Sequence, residues 1–124
     1  MILVDTSIWI DHLRAGDNRL ADLLANTLVL MHPIVIGELA CGNLNNRAEI
    51  LKLLKWLPKA TAPSDSEVLY FIEQRQLMGR GIGYVDAHLL ASVSLTQPAR
   101  LWTGDKRLND VAAELNLGWH PPGK

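Results

Sequence analysis

The feature that most constrains the fold of this sequence is the alternation of short apolar runs with longer segments of helical period. Residues 2–4 form a continuous apolar run, as expected for a strand buried on both faces, and a comparable run occupies 28–31. A further strand candidate occupies 100–102, where Arg100 precedes two apolar residues. A weaker strand candidate lies at 59–62. Buried strands separated by helices predict a parallel sheet with helices on both faces, so the predicted fold class is α/β.

Capping residues predict where the helices between these strands begin. Asp5 or Thr6 can cap the first helix, and Ser64 with Glu67 has the spacing of a capping box. Asp86 lies just ahead of another apolar helical segment and is expected to cap it. The predicted helices span residues 7–14, 18–26, 33–42, 47–57, 64–79, 86–95 and 106–116.

Size and composition limit the class of protein. With 124 residues and no repeat, linker or low-complexity segment, the chain is expected to form a single domain spanning 1–124. No apolar run approaches the length of a membrane span, and Cys41 is the only cysteine, so we expect a soluble, cytoplasmic protein with Cys41 buried as a small apolar side chain. The formal net charge of -1 argues against nucleic-acid binding through global positive charge, so any such contact must be local.

Four acidic residues are predicted to meet at one edge of the sheet. Asp5 and Asp105 follow the first and last strands, while Glu38 and Asp86 lie near the N-terminal ends of helices that connect strands. Ligands of parallel α/β sheets bind outside the carboxyl ends of the strands. Four carboxylates in one cleft would repel each other unless a cation neutralised them, and Mg²⁺ prefers such oxygen ligands while retaining waters. Cysteine and histidine do not cluster in the sequence, which argues against zinc.

Each acid also has a purely structural interpretation. Asp5 and Asp86 are in positions typical of helix caps, and Asp105 could be a turn residue. Glu38 lies among apolar neighbours, where a buried ion pair is the alternative explanation. The four tryptophans are expected to be core residues rather than platforms for base stacking.

Four motifs in order along the chain resemble the PIN-domain family, and within it the toxin ribonucleases of VapBC toxin-antitoxin pairs. They are "ILVDTSIWID", "IGELACG", "GYVDAHLLASV" and "LWTGDKRL", and the similarity covers essentially the whole chain. The resemblance implies a three-layer α/β/α sandwich around a mostly parallel sheet of four to five short strands. It also implies cleavage of structured RNA, such as tRNA or rRNA, by an endoribonuclease that depends on Mg²⁺ or Mn²⁺.

The resemblance also assigns roles to particular residues. The acidic quartet of the family falls on Asp5, Glu38, Asp86 and Asp105, which would hold the metal ion and activate water. Members of the family place polar side chains around this site, and the matching residues here are Thr6, Ser7, Thr103 and, one helical turn after Asp105, Asn109. Because Asn109 is a neutral amide where some relatives have an acid, a second metal position is in doubt.

RNA and protein partners are expected at other surfaces. Lys106 and Arg107 directly follow Asp105, and Arg75 and Arg80 flank the glycine-rich "GRGIG" segment, so these four are the predicted RNA-binding residues. By resemblance, the protein should form a homodimer and bind a cognate VapB-type antitoxin. The alternative to a core position is that the first helix, through Trp9, Ile10 and Leu13, and the "LLKWL" stripe expose apolar area for these partners.

Other classes of protein fit the sequence less well. A haloacid-dehalogenase-type phosphatase would have a second aspartate where this chain has Ser7, and a receiver domain would need an acidic pair near the N-terminus. The remaining alternative is a catalytically silent PIN-like binding module that keeps the dimer and antitoxin surfaces. The presence of acids at all four positions argues against it, and a metal titration would discriminate the two.

Overall fold

A computed structural model of the chain describes residues 1–122 and contains three parallel strands flanked by seven helices, which confirms the α/β prediction. In chain order the elements are β1 (Ile2–Val4), α1 (Thr6–Ala15), α2 (Asn18–Ala25), β2 (Val29–Leu30), α3 (Pro33–Ala40), α4 (Arg47–Trp56), α5 (Asp65–Arg75), α6 (Tyr84–Leu95), β3 (Arg100–Trp102) and α7 (Lys106–Glu114).

The sheet has the strand order β2-β1-β3, with β1 in the centre. Ile2 is in register with Val29 on one side and with Arg100 on the other. All residues of β1 and β2 are buried, as their continuous apolar sequences predicted. Because β2 and β3 lie on opposite sides of β1, the order of the strands reverses there, and the carboxyl ends of β1 and β3 open onto a crevice.

The predicted count of four to five strands is wrong for residues 1–122, which contain three. Two further segments each pair with the sheet at a single residue, Lys59 beside Met31 and Gly118 beside Leu101. At the first of these, Met31 N donates to the carbonyl of Pro58 at 2.7 Å, and Ala60 N donates back to Met31 at 2.9 Å. A longer ladder does not form because Pro58 lacks an N–H, as proline does generally.

The predicted helices are confirmed, with two changed boundaries that matter for the site. Helix α6 begins at Tyr84, so Asp86 lies in its first turn and is not its N-terminal cap as predicted. Gly83 takes the cap position, with an extended backbone conformation typical of N-terminal caps. Helix α5 ends at Arg75, earlier than predicted, because Gln76 adopts a left-handed conformation with φ of 53°.

Helix α6 is the most deeply buried helix, and every residue from Ala87 to Val93 is inside. Trp9 and Trp102 are core residues as predicted, so the alternative that Trp9 exposes apolar area is wrong. Trp56 is 78% exposed, so its predicted core position is wrong and the alternative of exposed apolar area on the "LLKWL" stripe is confirmed. Cys41 is also exposed rather than buried, because it lies where the chain leaves the end of α3.

Within residues 1–122, none of the helices combines the length and the apolar character that crossing a membrane requires.

Candidate active site

The crevice at the carboxyl ends of β1 and β3 contains a cavity of about 420 Å³ that collects all four predicted acids. Asp5 directly follows β1, and Asp105 follows β3 after a short turn. Helices α3 and α6 supply the other two acids from the neighbouring walls. The lining residues are Asp5, Thr6, Ser7, Glu38, Gly83, Tyr84, Val85, Asp86 and Asp105.

The hydroxyl group of Thr103 joins Asp5 to Asp105. Its Oγ1 donates to Asp5 Oδ2 at 2.7 Å and accepts from the backbone N–H of Asp105 at 3.1 Å. Asp5 Oδ1 accepts from the backbone N–H of Thr6 at 2.8 Å, so both carboxylate oxygens are held. Because Thr103 is buried, these bonds fix the orientation of the Asp5 carboxylate toward the crevice.

Thr6 joins Asp5 to Glu38. Its side-chain hydroxyl donates to Glu38 Oε1 at 2.5 Å, across 32 residues of sequence. Glu38 is exposed, and no salt bridge within residues 1–122 includes it. The alternative of a buried ion pair is therefore wrong. The apolar neighbours of Glu38 in the sequence pack on other faces of α3, and Glu38 itself faces the crevice.

Asp86 and Asp105 lie at the starts of their helices, where backbone N–H groups hold them. Asp105 Oδ1 accepts from the N–H of Leu108 at 3.0 Å and caps α7. Asp86 Oδ2 accepts from the N–H of Gly83 at 3.3 Å, from its position in the first turn of α6. Asp5, in the same way, caps α1. The capping interpretation is thus correct for Asp5, while Asp105, interpreted from the sequence as a turn residue, also caps a helix. Neither cap competes with a functional role, because the same carboxylates face the shared cavity.

The carboxylates lie near enough to affect one another's ionisation. Burial raises the pKa of Asp5 above its ordinary value, hydrogen bonds from Thr103 and Thr6 oppose the rise, and the charges of Glu38 and Asp105 add to it. Burial likewise raises the pKa of Asp86, with further increases from the charges of the other three acids and an opposing hydrogen bond from Gly83. The crevice therefore holds an excess of negative charge.

This donor set fits a hard divalent cation in its chemistry and charge. Carboxylate and hydroxyl oxygens are the ligands that Mg²⁺ and Mn²⁺ prefer, and a cation would relieve the repulsion that raises the pKa of Asp5 and Asp86. No three acidic, histidine or cysteine side chains of residues 1–122 converge as a ready-made metal cage. A cation that binds through few direct protein ligands and keeps several of its waters suits such an arrangement, as Mg²⁺ commonly does.

The remaining predicted polar residues differ in their positions. Ser7 lines the cavity, and its hydroxyl oxygen accepts from the N–H of Gly104 at 3.4 Å. Asn109 does not line the cavity, although its backbone N–H bonds to the carbonyl of Asp105 at 2.9 Å. Its buried side-chain oxygen has no hydrogen-bond partner among the described residues.

The four predicted basic residues occupy separate places. Lys106 and Arg107 begin α7 beside the cavity, and Lys106 pairs with Asp110 on the exposed face at 3.0 Å. Arg80 pairs instead with Glu114 at 2.7 Å. Arg75 stacks over the ring of Phe71 at 5.2 Å and lines another cavity, one that shares no residue with the carboxylate cavity. Lys106 and Arg107 thus adjoin the candidate site through Asp105, but none of the four basic residues lines its cavity.

Two features of the site were missed at the sequence level. Tyr84 lines the cavity two residues before Asp86 and donates its hydroxyl to Asp65 Oδ1 at 2.6 Å, which ties the wall of the crevice to the start of α5. In the sequence, the position of Tyr84 two residues before Asp86 in "GYVD" was the feature that could have indicated its place at the site. The second feature is a pair of buried histidines, His32 and His88, whose ring centroids lie 5.0 Å apart.

His32 connects the helices that carry Glu38 and Asp86. Its Nδ1 accepts from the backbone N–H of Ile34 and caps α3, which leaves the proton on Nε2 to bond to Ser92 Oγ of α6 at 2.8 Å. Burial, with a smaller contribution from His88, lowers the pKa of His32 from 6.5 to about 4. His32 is therefore neutral at pH 7, as the hydrogen bond that its Nδ1 accepts from Ile34 requires.

Comparisons of the sequence and of the fold with known proteins agree on one protein family. A family model described as "PIN domain" matches residues 2–114. Ribonuclease VapC32 from two strains of Mycobacterium tuberculosis is 52% identical to the chain over 117 residues, which cover 94% of this chain and 94% of the relative.

Two solved structures are similar in fold over 100% of both chains. A chain in the crystal structure of FitAcB from Neisseria gonorrhoeae gives a TM-score of 0.67 at 20% sequence identity. A chain in the structure of VapBC-1 from nontypeable Haemophilus influenzae gives 0.65 at 21%. From its sequence match, its fold and its relatives, the chain belongs to the PIN domain family.

Proposed function

We propose that this protein is an endoribonuclease that hydrolyses phosphodiester bonds with the help of Mg²⁺ or Mn²⁺ and acts as the toxin of a toxin-antitoxin pair. The observation that carries the proposal is the meeting of four carboxylates, from distant parts of the chain, in one cavity at the carboxyl edge of the sheet. The 52% identity to a protein named as a ribonuclease supports the same activity.

The roles of the acids follow from how each is held. Asp5, Asp86 and Asp105 would be direct or water-mediated ligands of the cation, and Thr103 and Thr6 orient Asp5 for this role. Glu38 is exposed at the mouth of the crevice, where it would act as a ligand or orient the attacking water. The chemistry supplied by Mg²⁺ or Mn²⁺, when bound, is activation of water and neutralisation of charge on the phosphoryl group.

The substrate we propose is a structured RNA such as tRNA or rRNA, and cleavage would stop translation and growth in the cytoplasm. The open crevice supports this choice, because a folded RNA must present one phosphodiester to acids at the surface. The hydroxyl groups of Thr6 and Ser7 line the cavity and can contact RNA or orient water, while buried Thr103 orients Asp5. The particular RNA would be chosen by contacts outside the carboxylate cavity.

We further propose a homodimer and an antitoxin partner of the VapB type. The two solved structures that are similar in fold are those of FitAcB and VapBC-1, and the second name supports a partner of the VapB type. A second cavity, of about 320 Å³, includes Ile10 and Leu13 of α1 and is bounded by Glu38, so an apolar segment lying in it would reach the acids. Leu53 and Trp56 expose apolar area on α4 that suits an interface between protein chains.

The test is cleavage of total RNA and of a tRNA pool by the purified protein. Cleavage is expected with Mg²⁺ or Mn²⁺, none with EDTA, and none by Asp5→Asn, because the neutral amide cannot support a cation in the same way. Asp110→Asn is the matched control, since Asp110 is an exposed carboxylate of α7 that is paired with Lys106 and lies outside the cavity. Full activity of Asp5→Asn, or cleavage in EDTA, would refute the proposal.

The silent binding module remains the competing hypothesis. It predicts a folded protein that binds an antitoxin but neither cleaves RNA nor retains divalent metal. Absence of cleavage together with absence of metal binding would favour it and would leave the four acids as caps and turn residues. Absence of cleavage with metal still bound would instead indicate a narrow choice of RNA.

A further inference from the structure

Arg107 lies directly on the backbone of Gly81, and this contact joins two walls of the carboxylate cavity. A Cβ atom placed on Gly81 would lie 2.8 Å from Cδ and 2.9 Å from Nη1 of Arg107. Gly81 precedes Gly83 by two residues, and Arg107 follows Asp105 by two residues, while Gly83 and Asp105 both line the cavity. The arginine side chain therefore bridges the loop before α6 and the start of α7.

The charge of Arg107 is available to a ligand. No carboxylate of residues 1–122 lies within 4.0 Å of its guanidinium group, and the side chain is exposed. The other basic residues predicted for RNA binding are engaged elsewhere, as Lys106 is with Asp110 and Arg80 is with Glu114. A cavity lined by acids repels the phosphates of RNA, so a cation at its rim is needed to hold the strand.

We infer that Gly81 and Arg107 form a phosphate-binding contact for the RNA strand, in which the bare backbone of Gly81 holds the Arg107 guanidinium at the rim of the cavity. This inference rests on the proposed function, since it assumes that the crevice receives RNA. Gly81 suits the role in two ways. Its φ of 81° is in the left-handed region that favours glycine, and its lack of a side chain lets Arg107 lie flat against the loop.

The test compares four variants of the full chain, with binding to a labelled tRNA pool measured in EDTA at several salt concentrations so that no cleavage occurs. Arg107→Ala removes the charge, and Gly81→Ala displaces the side chain while keeping the charge. Gly79→Ala is the matched control. Gly79 has a similar φ of 71°, so alanine is equally strained there, but a Cβ on Gly79 would contact nothing within 4 Å. The fourth variant combines Gly81→Ala with Arg107→Ala.

Loss of one phosphate contact lowers the slope of log affinity against log salt by about 0.7 to 0.9, which corresponds to about five- to eightfold weaker binding at 0.1 M salt. We expect this change in Arg107→Ala and in Gly81→Ala, and a significantly smaller one in Gly79→Ala. The double variant should bind no more weakly than Arg107→Ala, because Gly81 acts through Arg107. Thermal unfolding of each variant checks that it is folded.

The outcomes separate this inference from the proposed function. If the wild-type protein binds and cleaves RNA but Arg107→Ala keeps the wild-type salt slope, the inference is wrong and the proposed function stands. If Gly81→Ala weakens binding equally in the presence and absence of Arg107, the glycine does not act by seating the arginine, and the inference is again wrong. If the wild-type protein neither binds nor cleaves RNA, both fail together.

Discussion

Mild acid is predicted to destabilise this protein through His32. Its folded pKa is lowered from 6.5 to about 4, so between these values the unfolded chain takes up a proton that the folded protein does not. The contribution of neutral His32 to stability is therefore fully present above about pH 6.5 and is lost as the pH falls toward 4. The loss is about 1.4 kcal/mol for each pH unit in this window, or about 2 to 3 kcal/mol between pH 7 and 4.5.

This loss is a large part of the 5–15 kcal/mol that typically stabilises a domain. Protonation of His32 also affects the candidate site. Protonated Nδ1 cannot accept the hydrogen bond from the backbone N–H of Ile34, and this bond caps α3, the helix that carries Glu38. Asp5 and Asp86 act in the opposite direction. Their pKa values are raised, so the folded protein binds protons more tightly there, and acid relieves the repulsion between them.

The assay is urea unfolding at pH values from 7 to 4.5, with His32→Asn as the comparison. Asparagine is a favoured N-terminal cap and does not titrate in this range, so the variant keeps a cap acceptor for α3 and loses the proton linkage. We expect the free energy of unfolding of the wild type to fall more steeply with acid than that of His32→Asn, by about 2 to 3 kcal/mol over this interval. Parallel curves for the two proteins would refute the reasoning.

Three further perturbations test other parts of the structure. Thr103→Val removes the hydroxyl between Asp5 and Asp105, and calorimetry should show a stability loss of about 1 to 3 kcal/mol while RNA cleavage falls; unchanged cleavage would contradict the orienting role. Ser64→Ala removes the cap of α5 and should cost about 1 kcal/mol in urea unfolding with no loss of cleavage at a temperature where the variant is folded. Trp56→Ser should change the unfolding free energy of the monomer by less than about 0.5 kcal/mol but weaken the dimer in sedimentation, and an unchanged dimer would exclude this surface.

Much of the fold could be predicted because local signals and the tertiary structure agree. Continuous apolar runs predicted β1 and β2, and the capping box at Ser64 and Glu67 is present as expected. Boundaries that depend on one backbone conformation were harder, such as the end of α5 at Gln76. The pairing of Lys59 and Gly118 with the sheet involves one residue each, and no periodic pattern can reveal so short a contact.

The candidate site was predictable for the acids and less so for the residues that support them. The position of Asp5 and Asp105 after parallel strands determines that they share an edge. The exposure of Glu38 could not be read from its apolar sequence neighbours, because it depends on how α3 packs against the rest of the chain. Arg75 was grouped with the predicted RNA-binding residues because it flanks the glycine-rich segment in the sequence, yet at the end of α5 it lines another cavity.

The central claim is that four acids from distant segments act together on one divalent cation, and Mn²⁺ binding to the metal-free protein tests it most directly. Electron paramagnetic resonance would measure the free Mn²⁺ during titration of the wild type, of Asp5→Asn, Glu38→Gln, Asp86→Asn and Asp105→Asn, and of the control Asp110→Asn. The account predicts saturable binding that is weakened in Asp5→Asn, Asp86→Asn and Asp105→Asn and unchanged in the control. Weakened binding in Glu38→Gln would assign Glu38 as a ligand, and wild-type binding there would assign it to orienting the attacking water. Wild-type affinity in Asp5→Asn, Asp86→Asn and Asp105→Asn would contradict the claim.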